Sequence, residues 1–541
     1  MQQYSGKSVY KGIVQGPVTV IRRQSHHVNR EEILDVGAEI ERVGSAVKYA
    51  RKQLQILHDK AVEEIGTAGA AIFEVHIMIL EDEEYLDSIR HMILSEKVNA
   101  EYAVEFTSEK FVEMFSHMDN EYMRERAADI KDISHRLIRI LNGGEDAGRS
   151  SEAPSIIVAE DLSPSETMRM DRKKVLAFVT VHGSVNSHTA ILARLMNIPA
   201  LVGVPVELNN IQNETMAVVD GFEGRVIFEP DENICRQAKE RMAKEREKLS
   251  LLQTLKGKEN ITPYGRKINI CANIGSITDI DSVLENDAGG IGLFRSEFLY
   301  LGREDFPTEE EQFYAYLHAV QKMAGKKVII RTLDIGADKQ ADYFCIGKEE
   351  NPAMGLRAIR ICLKHPEILK TQLRALFRAA AYGNLSVIYP MVISAEEVQK
   401  ILEIAEAVKT ELKEAQLPFR YPSQGVMIET PAAVMVSDEL AELVDFFSIG
   451  TNDLTQYTLA IDRQNEKLYD FYNPHHKAIM RMIRMVADNA HKHGKWVGIC
   501  GELGADPELT EEFVRMGIDE LSVAPSMVLK LRKIVREMKE Y

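Results

Sequence analysis

Val328-Ile329-Ile330-Arg331-Thr332-Leu333-Asp334 is an apolar run that ends in charge. Its β-branched residues read as a buried strand, with the charged groups at the strand's C-terminal end. Runs of this kind recur after Thr262-Pro263 at 268–274, 290–295, 328–334, 385–391, 425–429, 446–453, 496–502 and 520–524, with helical stretches between them. Eight such runs alternating with helices over about 280 residues predict a (β/α)8 barrel. A doubly wound sheet has the same alternation and differs only in not closing.

Upstream of the barrel the texture changes twice. Residues 7–21 read as two short β segments around Gly16-Pro17. Ile40, Val43, Val47, Ala50, Leu54, Leu57 and Ala61 then recur at steps of three and four, which places one apolar stripe on a long helix. Further helical segments are expected near 70–95, 100–117 and 121–141. Short β runs return between 153 and 230 and form a compact α/β unit with the first strands. The expected organisation is an α/β domain from 1–30 and 144–230, an inserted helical bundle at 31–143, a linker helix at 231–258, and the barrel at 259–541.

At 541 residues the chain exceeds a single core, and 45% hydrophobic with 28% charged residues is a soluble globular composition. No apolar run approaches the ~20 residues that span a bilayer, and the N-terminus lacks a signal-peptide pattern. Five cysteines without paired spacing argue against a disulfide framework or a zinc site. These features point to the cytoplasm. A formal charge of −17 argues against nucleic acid or an anionic membrane as partner and permits a basic protein.

Barrel active sites lie at the C-terminal ends of the strands. Here those ends carry Arg295-Ser296-Glu297, Arg331 with Asp334, Glu429-Thr430-Pro431, Asn452-Asp453 and Cys500-Gly501-Glu502, with Arg357 and Arg463 in the loops after runs three and six. Several arginines imply a polyanionic substrate, because guanidinium forks match phosphate and carboxylate. Glu429 and Asp453 are hard oxygen donors suited to Mg²⁺. No histidine ends these strands, which disfavours zinc. A thiol among cations serves as nucleophile or proton donor.

A second centre lies upstream. Gly183-Ser184-Val185-Asn186-Ser187-His188-Thr189-Ala190 follows the strand-like run 175–180 and opens a helix-like run. A histidine at a helix N-terminus suits a group that becomes anionic. The plainer alternative is a helix capped by Ser187 with an ordinary half-buried histidine.

Together these motifs resemble enzyme I of the bacterial sugar phosphotransferase system over nearly the whole chain. Ser187-His188-Thr189-Ala190-Ile191 resembles that family's phosphohistidine signature. Gly292-Leu293-Phe294-Arg295-Ser296-Glu297, Arg331-Thr332-Leu333-Asp334-Ile335-Gly336, Glu429-Thr430-Pro431-Ala432-Ala433, Gly450-Thr451-Asn452-Asp453-Leu454 and Cys500-Gly501-Glu502 resemble its phosphoenolpyruvate-barrel motifs. Phe73-Glu74-Val75-His76-Ile77-Met78 and Leu80-Glu81-Asp82-Glu83-Glu84 resemble its carrier-docking helices.

The resemblance implies that His188 takes the phosphoryl group of phosphoenolpyruvate and passes it to a small histidine-containing phosphocarrier protein, releasing pyruvate. Arg295, Arg331, Arg357, Asn452, Asp453 and Arg463 would hold substrate. Glu429 and Asp453 would bind Mg²⁺, and Cys500 would protonate the departing enolate. It also implies a homodimer through the barrel. Because His188 must reach both the barrel and a carrier bound elsewhere, a swivel of the 1–230 region about the 231–256 helix is expected. An acidic docking face at Glu81–Glu84 would steer a basic carrier.

Three features depart from the family pattern. Ser184 stands for a usual glycine, Asn186 stands for a usual threonine, and the family usually carries further C-terminal helical sequence, which bears on the dimer. Alternatives from other classes are a phosphorylated regulatory or docking protein with an inactive barrel, and a Mg²⁺-dependent barrel lyase. The intact strand-end residues disfavour the first; His188 and the helical insertion disfavour the second.

Overall fold

The computed structural model describes residues 1–22, 28–65, 67–116, 121–143, 153–183, 187–196, 198–301, 303, 305–336, 342–344, 346–347, 349–463 and 465–539. The chain divides into two compact units, Met1–Glu247 and Lys248–Tyr541.

The first unit holds an eight-stranded sheet. Its strands are β1 (Gln2–Ser5), β2 (Lys7–Tyr10), β3 (Ile13–Ile21), β4 (Ser155–Ala159), β5 (Val175–Thr180), β6 (Ala200–Val202), β7 (Met216–Asp220) and β8 (Arg225–Phe228), in the order β1-β8-β7-β3-β4-β5-β6-β2. β3 serves two ladders, pairing antiparallel with β7 through Pro17 and parallel with β4 from Val18 onward. The two segments expected around Gly16-Pro17 are therefore one strand in this stretch, and the break falls at residues 11–12 instead. Pro17 is tolerated because it sits where one ladder ends and the next begins, so its missing N–H interrupts neither.

Between β3 and β4 run five helices, α1 (Val36–Ile65), α2 (Thr67–Glu81), α3 (Glu83–Glu96), α4 (Ala100–Ser116) and α5 (Glu121–Leu141). The stripe read on α1 is the buried one, with Val43, Ala50, Leu54, Leu57 and Ala61 in the core. The helix expected near 70–95 is two helices. Asp82 accepts the Tyr85 N–H at 2.8 Å and caps α3, which stops α2. Glu81 pairs with Arg51 at 2.7 Å. All four residues of the acidic cluster are exposed, Glu83 and Glu84 in the first turn of α3.

A short helix, α6 (Pro164–Arg169), precedes β5, and α7 (His188–Leu195) follows it. Next, α8 (Glu232–Gln253) begins on the sheet: Ala238 is buried with Ile13 and Val218, and Arg241 donates to the buried Asp220 at 2.5 Å. It ends five residues short of the expected 258.

The second unit is a closed parallel barrel of β9 (Asn269–Ile274), β10 (Gly290–Arg295), β11 (Lys327–Arg331), β12 (Leu385–Tyr389), β13 (Ser423–Ile428), β14 (Phe446–Ile449), β15 (Trp496–Ile499) and β16 (Glu520–Val523), with β16 pairing back to β9. Closure settles the choice between barrel and open sheet. Leu293, Ile329, Ile388, Met427 and Phe446 form one apolar cluster that also includes Cys500. Such strands read as continuous apolar runs because both faces are covered.

The last helix, Val528–Glu537, is tied to the barrel by Arg532. This buried guanidinium donates to the Leu255 carbonyl at 2.8 Å, to Asn260 Oδ1 at 2.7 Å and to Asp287 Oδ2 at 2.5 Å. Arg532→Ala would remove all three bonds and leave Asp287 Oδ2 with the Gly257 N–H, so thermal or urea denaturation of the variant is expected to show a loss of about 2 kcal/mol; a loss under about 0.5 kcal/mol would show that the tie is decorative.

Candidate active site

Arg331 ends β11 and Arg357 precedes the helix Ile359–Lys364; both are buried. Arg331 pairs with Glu297 and, at 2.9 Å, with Asp334. Arg357 donates to the same Asp334 at 2.8 Å, reaches Tyr457 Oη at 3.2 Å, and lies 3.7 Å from Asp453. Burial pulls both guanidinium pKa values down, but the facing carboxylates outweigh it and the net movement is upward. Both arginines are therefore locked in the charged state.

Glu429 follows β13 and is buried. Oε1 accepts the Met391 N–H at 2.6 Å, whereas Oε2 is buried without a hydrogen-bond partner. Burial pushes the carboxyl up to about 8; Asp453 and Asp334 add to the rise, and Arg331 opposes it. A Cβ on Gly450 would lie 2.6 Å from that Oε2, so the glycine keeps the space beside the orphan oxygen open.

Asn452 and Asp453 were expected at a strand end. β14 stops at Ile449, and both residues lie in the first turn of the helix Thr451–Leu459. Gly450 breaks the strand, so the chain turns into the helix earlier than the apolar run indicated. Asn452 Nδ2 donates to Glu502 Oε1 at 3.1 Å, and the Glu502 N–H donates to Asn452 Oδ1 at 2.9 Å. This pair borders a cavity of about 140 Å³ whose walls include Thr455, Tyr472 and His475.

Cys500 follows β15, buried above the apolar barrel interior. Its Sγ donates to the Ile449 carbonyl at 3.6 Å. Burial pushes the thiol up to about 11; Ser448, Arg331 and Arg295 oppose the rise, and Glu429 adds to it. Arg295 ends β10 in register with Arg331 and is exposed. Arg463 is exposed in the loop after the helix Thr451–Leu459, its N–H bonded to Gln456 Oε1 at 3.2 Å. Neither makes an ion pair with another described residue.

The barrel mouth thus gathers Arg295, Arg331, Arg357, Glu429, Asp453 and Cys500, with Asn452 and Arg463 on the neighbouring helix and loop. No three His, Cys, Asp or Glu side chains among the described residues form a ready metal cage. Two carboxylates still suit Mg²⁺, which usually completes its shell with water and substrate oxygens. Sequence reading missed Tyr457 and Asn273, whose Nδ2 donates to the Cys500 and Ser522 carbonyls at 2.9 Å each. An asparagine inside an apolar strand was the available signal.

In the other unit His188 is the first residue of α7, and the Ser187 side chain accepts the Ala190 N–H. Gly183 has φ +107°, a conformation that favours glycine. Ser184 and Asn186 lie outside the described residues.

Residues 250–540 match the PEP-binding domain of PEP-utilising enzymes, residues 5–126 their N-terminal domain and residues 151–224 their mobile domain. Fold and site together thus define a PEP-utilising enzyme. The phosphoenolpyruvate-protein phosphotransferase of Priestia megaterium is 41% identical over 513 residues, covering 94% of this chain and 90% of the relative. That of Geobacillus stearothermophilus is 42% identical over 518 residues, covering 94% and 89%. That of Haemophilus influenzae is 42% identical over 539 residues, covering 99% and 94%. The chain belongs to the phosphoenolpyruvate-protein phosphotransferase family.

A buried thiol raised to about 11 is almost wholly protonated at pH 8. Mass spectrometry after iodoacetamide treatment of the native protein at pH 8 should find Cys500 modified at least about a hundredfold more slowly than free cysteine. Rapid modification would show that the thiol is not held neutral.

Proposed function

We propose that this chain takes the phosphoryl group of phosphoenolpyruvate onto His188, passes it to a histidine-containing phosphocarrier protein and releases pyruvate, as the first step of sugar phosphotransferase transport. The observation that carries the reading is the barrel mouth itself. Exposed arginines, a buried carboxylate with an orphan oxygen and a neutral thiol stand together in a chain that keeps a histidine at the start of α7. An inactive docking protein has no use for that combination.

Arg295 and Arg463 are the cations open to an incoming polyanion, and Asn452 offers an amide beside them. Arg331 and Arg357 hold a fixed positive field that favours the developing enolate. The bond from phosphorus to the enolate oxygen breaks as one forms to an imidazole nitrogen of His188. The enolate then gains a proton at carbon from Cys500 Sγ, and the thiolate recovers its proton from solvent.

Glu429 and Asp453 would hold Mg²⁺. The orphan Oε2 of Glu429, in the space that Gly450 keeps open, fits that role. When bound, the cation neutralises charge on the substrate oxygens. Among the described residues no helix is long and apolar enough to cross a membrane; a cytoplasmic homodimer joined through the barrel completes the reading. The exposed acidic cluster Glu81, Asp82, Glu83 and Glu84, beside the apolar run Ile77-Met78-Ile79-Leu80, would receive the carrier.

With labelled phosphoenolpyruvate and Mg²⁺, the wild-type chain should become labelled and release pyruvate. His188→Ala should take no label yet still bind phosphoenolpyruvate at the barrel; label retained on another residue would refute the assignment.

Metal affinity supplies a pH test. The Glu429 carboxyl, raised to about 8, is mostly protonated at pH 7 without a cation, so binding must release its proton. Mn²⁺ affinity measured by calorimetry should rise close to tenfold per pH unit below about pH 8 and level off above it. A flat profile between pH 6 and 8 would remove Glu429 from the ligand set.

A further inference from the structure

The helix Pro366–Ala380 lays Leu369, Leu373 and Leu376 against the barrel. Gln372 falls in the same stripe and is 0% exposed. A polar residue at such a position is expected to have every hydrogen-bonding group engaged. The bonds of Gln372 run toward two strand ends of the candidate site. Its Oε1 accepts the Leu333 N–H at 2.9 Å. Its Nε2 donates to Ser296 Oγ and to Tyr316 Oη, both at 3.0 Å. Ser296 Oγ in turn donates to the Arg331 carbonyl at 2.7 Å.

Both hydrogens of the amide nitrogen are used, so the amide has one orientation that satisfies its surroundings. Leu333 lies between Arg331 and Asp334, and Ser296 lies between Arg295 and Glu297. A single side chain therefore holds both segments that carry the anion-facing groups, one by the Leu333 backbone and the other by the Ser296 hydroxyl, from beneath and out of reach of substrate.

We propose that Gln372 is a positioning residue that sets the geometry of Arg295 and Arg331 toward phosphoenolpyruvate by tying the ends of β10 and β11 together. The proposal deepens the functional reading above and rests on it. A role confined to the core is the competing account, since Tyr316 also donates to Gln312 at 3.2 Å in a buried network.

Q372M keeps length and volume but provides no amide. Hydrogen exchange in the segment 328–336 should quicken at least about tenfold in Q372M, while 385–389 and 423–428 exchange as in wild type. The KM for phosphoenolpyruvate should rise about tenfold, with kcat changed less than about threefold. Y316F, which removes only the core-side partner, should leave both readouts within about twofold of wild type.

If Q372M lowers the Tm but leaves 328–336 protected and KM unchanged, Gln372 is a core residue and the proposal is overturned. If Q372M does not fold, S296A decides, because it deletes the Gln372 bond to the β10 end together with the bond to the Arg331 carbonyl, and leaves the Leu333 bond in place. A KM raised about threefold supports the proposal and a wild-type KM overturns it. If the wild-type chain itself takes no label from phosphoenolpyruvate, the functional reading fails, and the exchange measurement separately decides whether Gln372 ties the two strand ends.

Discussion

Two guanidinium groups stand out of water at the mouth of the barrel, and that arrangement is costly unless carboxylates face them. Asp334 faces both. It accepts Arg331 on one oxygen and Arg357 on the other, and Glu297 takes the remaining side of Arg331. The pairing is made by sequence-local geometry on one side, since Arg331 and Asp334 are three residues apart, and by fold on the other, since Arg357 arrives from the following loop. Removing Asp334 would leave two buried cations without their shared partner, so the site cannot lose this carboxylate and keep its shape.

The pairing also divides the arginines into two kinds. Arg331 and Arg357 form a fixed frame held by facing carboxylates, while Arg295 and Arg463 are exposed. In the proposed reaction an incoming polyanion would meet the exposed pair without first breaking a buried ion pair. Arg331 still contributes, because its field reaches Glu429 and Cys500 and opposes the rise that burial imposes on each.

Much of this was legible in the sequence. Parallel strands buried on both faces leave continuous apolar runs, so all eight barrel strands could be found, and a charge at the end of such a run marks the open face. Strand ends were less legible. The run into Asn452-Asp453 read as strand because Gly450 looked like part of it, whereas the helix begins at Thr451. The acidic stretch hid the end of α2 because capping by Asp82 depends on where its side chain points. Gln372 and Tyr457 were invisible for a related reason. Each is an unremarked polar position on a helix until the fold brings Leu333 or Arg357 within hydrogen-bonding distance. Residue type and spacing carry the chemistry of the site; pairing, burial and the choice of orphan atom arise only when separate strands meet.

Burial raises Glu429 and Cys500 alike, yet the proposed reaction needs them in opposite states: the acid ionised to hold a cation, the thiol protonated to give up its hydrogen. A shared dielectric cannot separate them, so the difference must lie in their partners. Glu429 has one oxygen engaged by the Met391 N–H and the other without a partner, beside space that Gly450 leaves open. A cation held in that space would stabilise the carboxylate directly. Cys500 directs its hydrogen at the Ile449 carbonyl, an acceptor that stabilises the protonated form and offers nothing to a thiolate. Cation binding can therefore bring the Glu429 pKa down while the thiol keeps its proton. In the proposed reaction the two protons would then leave at different stages: Glu429 would lose its own where it holds a cation, and Cys500 would give up its hydrogen only when an enolate carbon is present to take it.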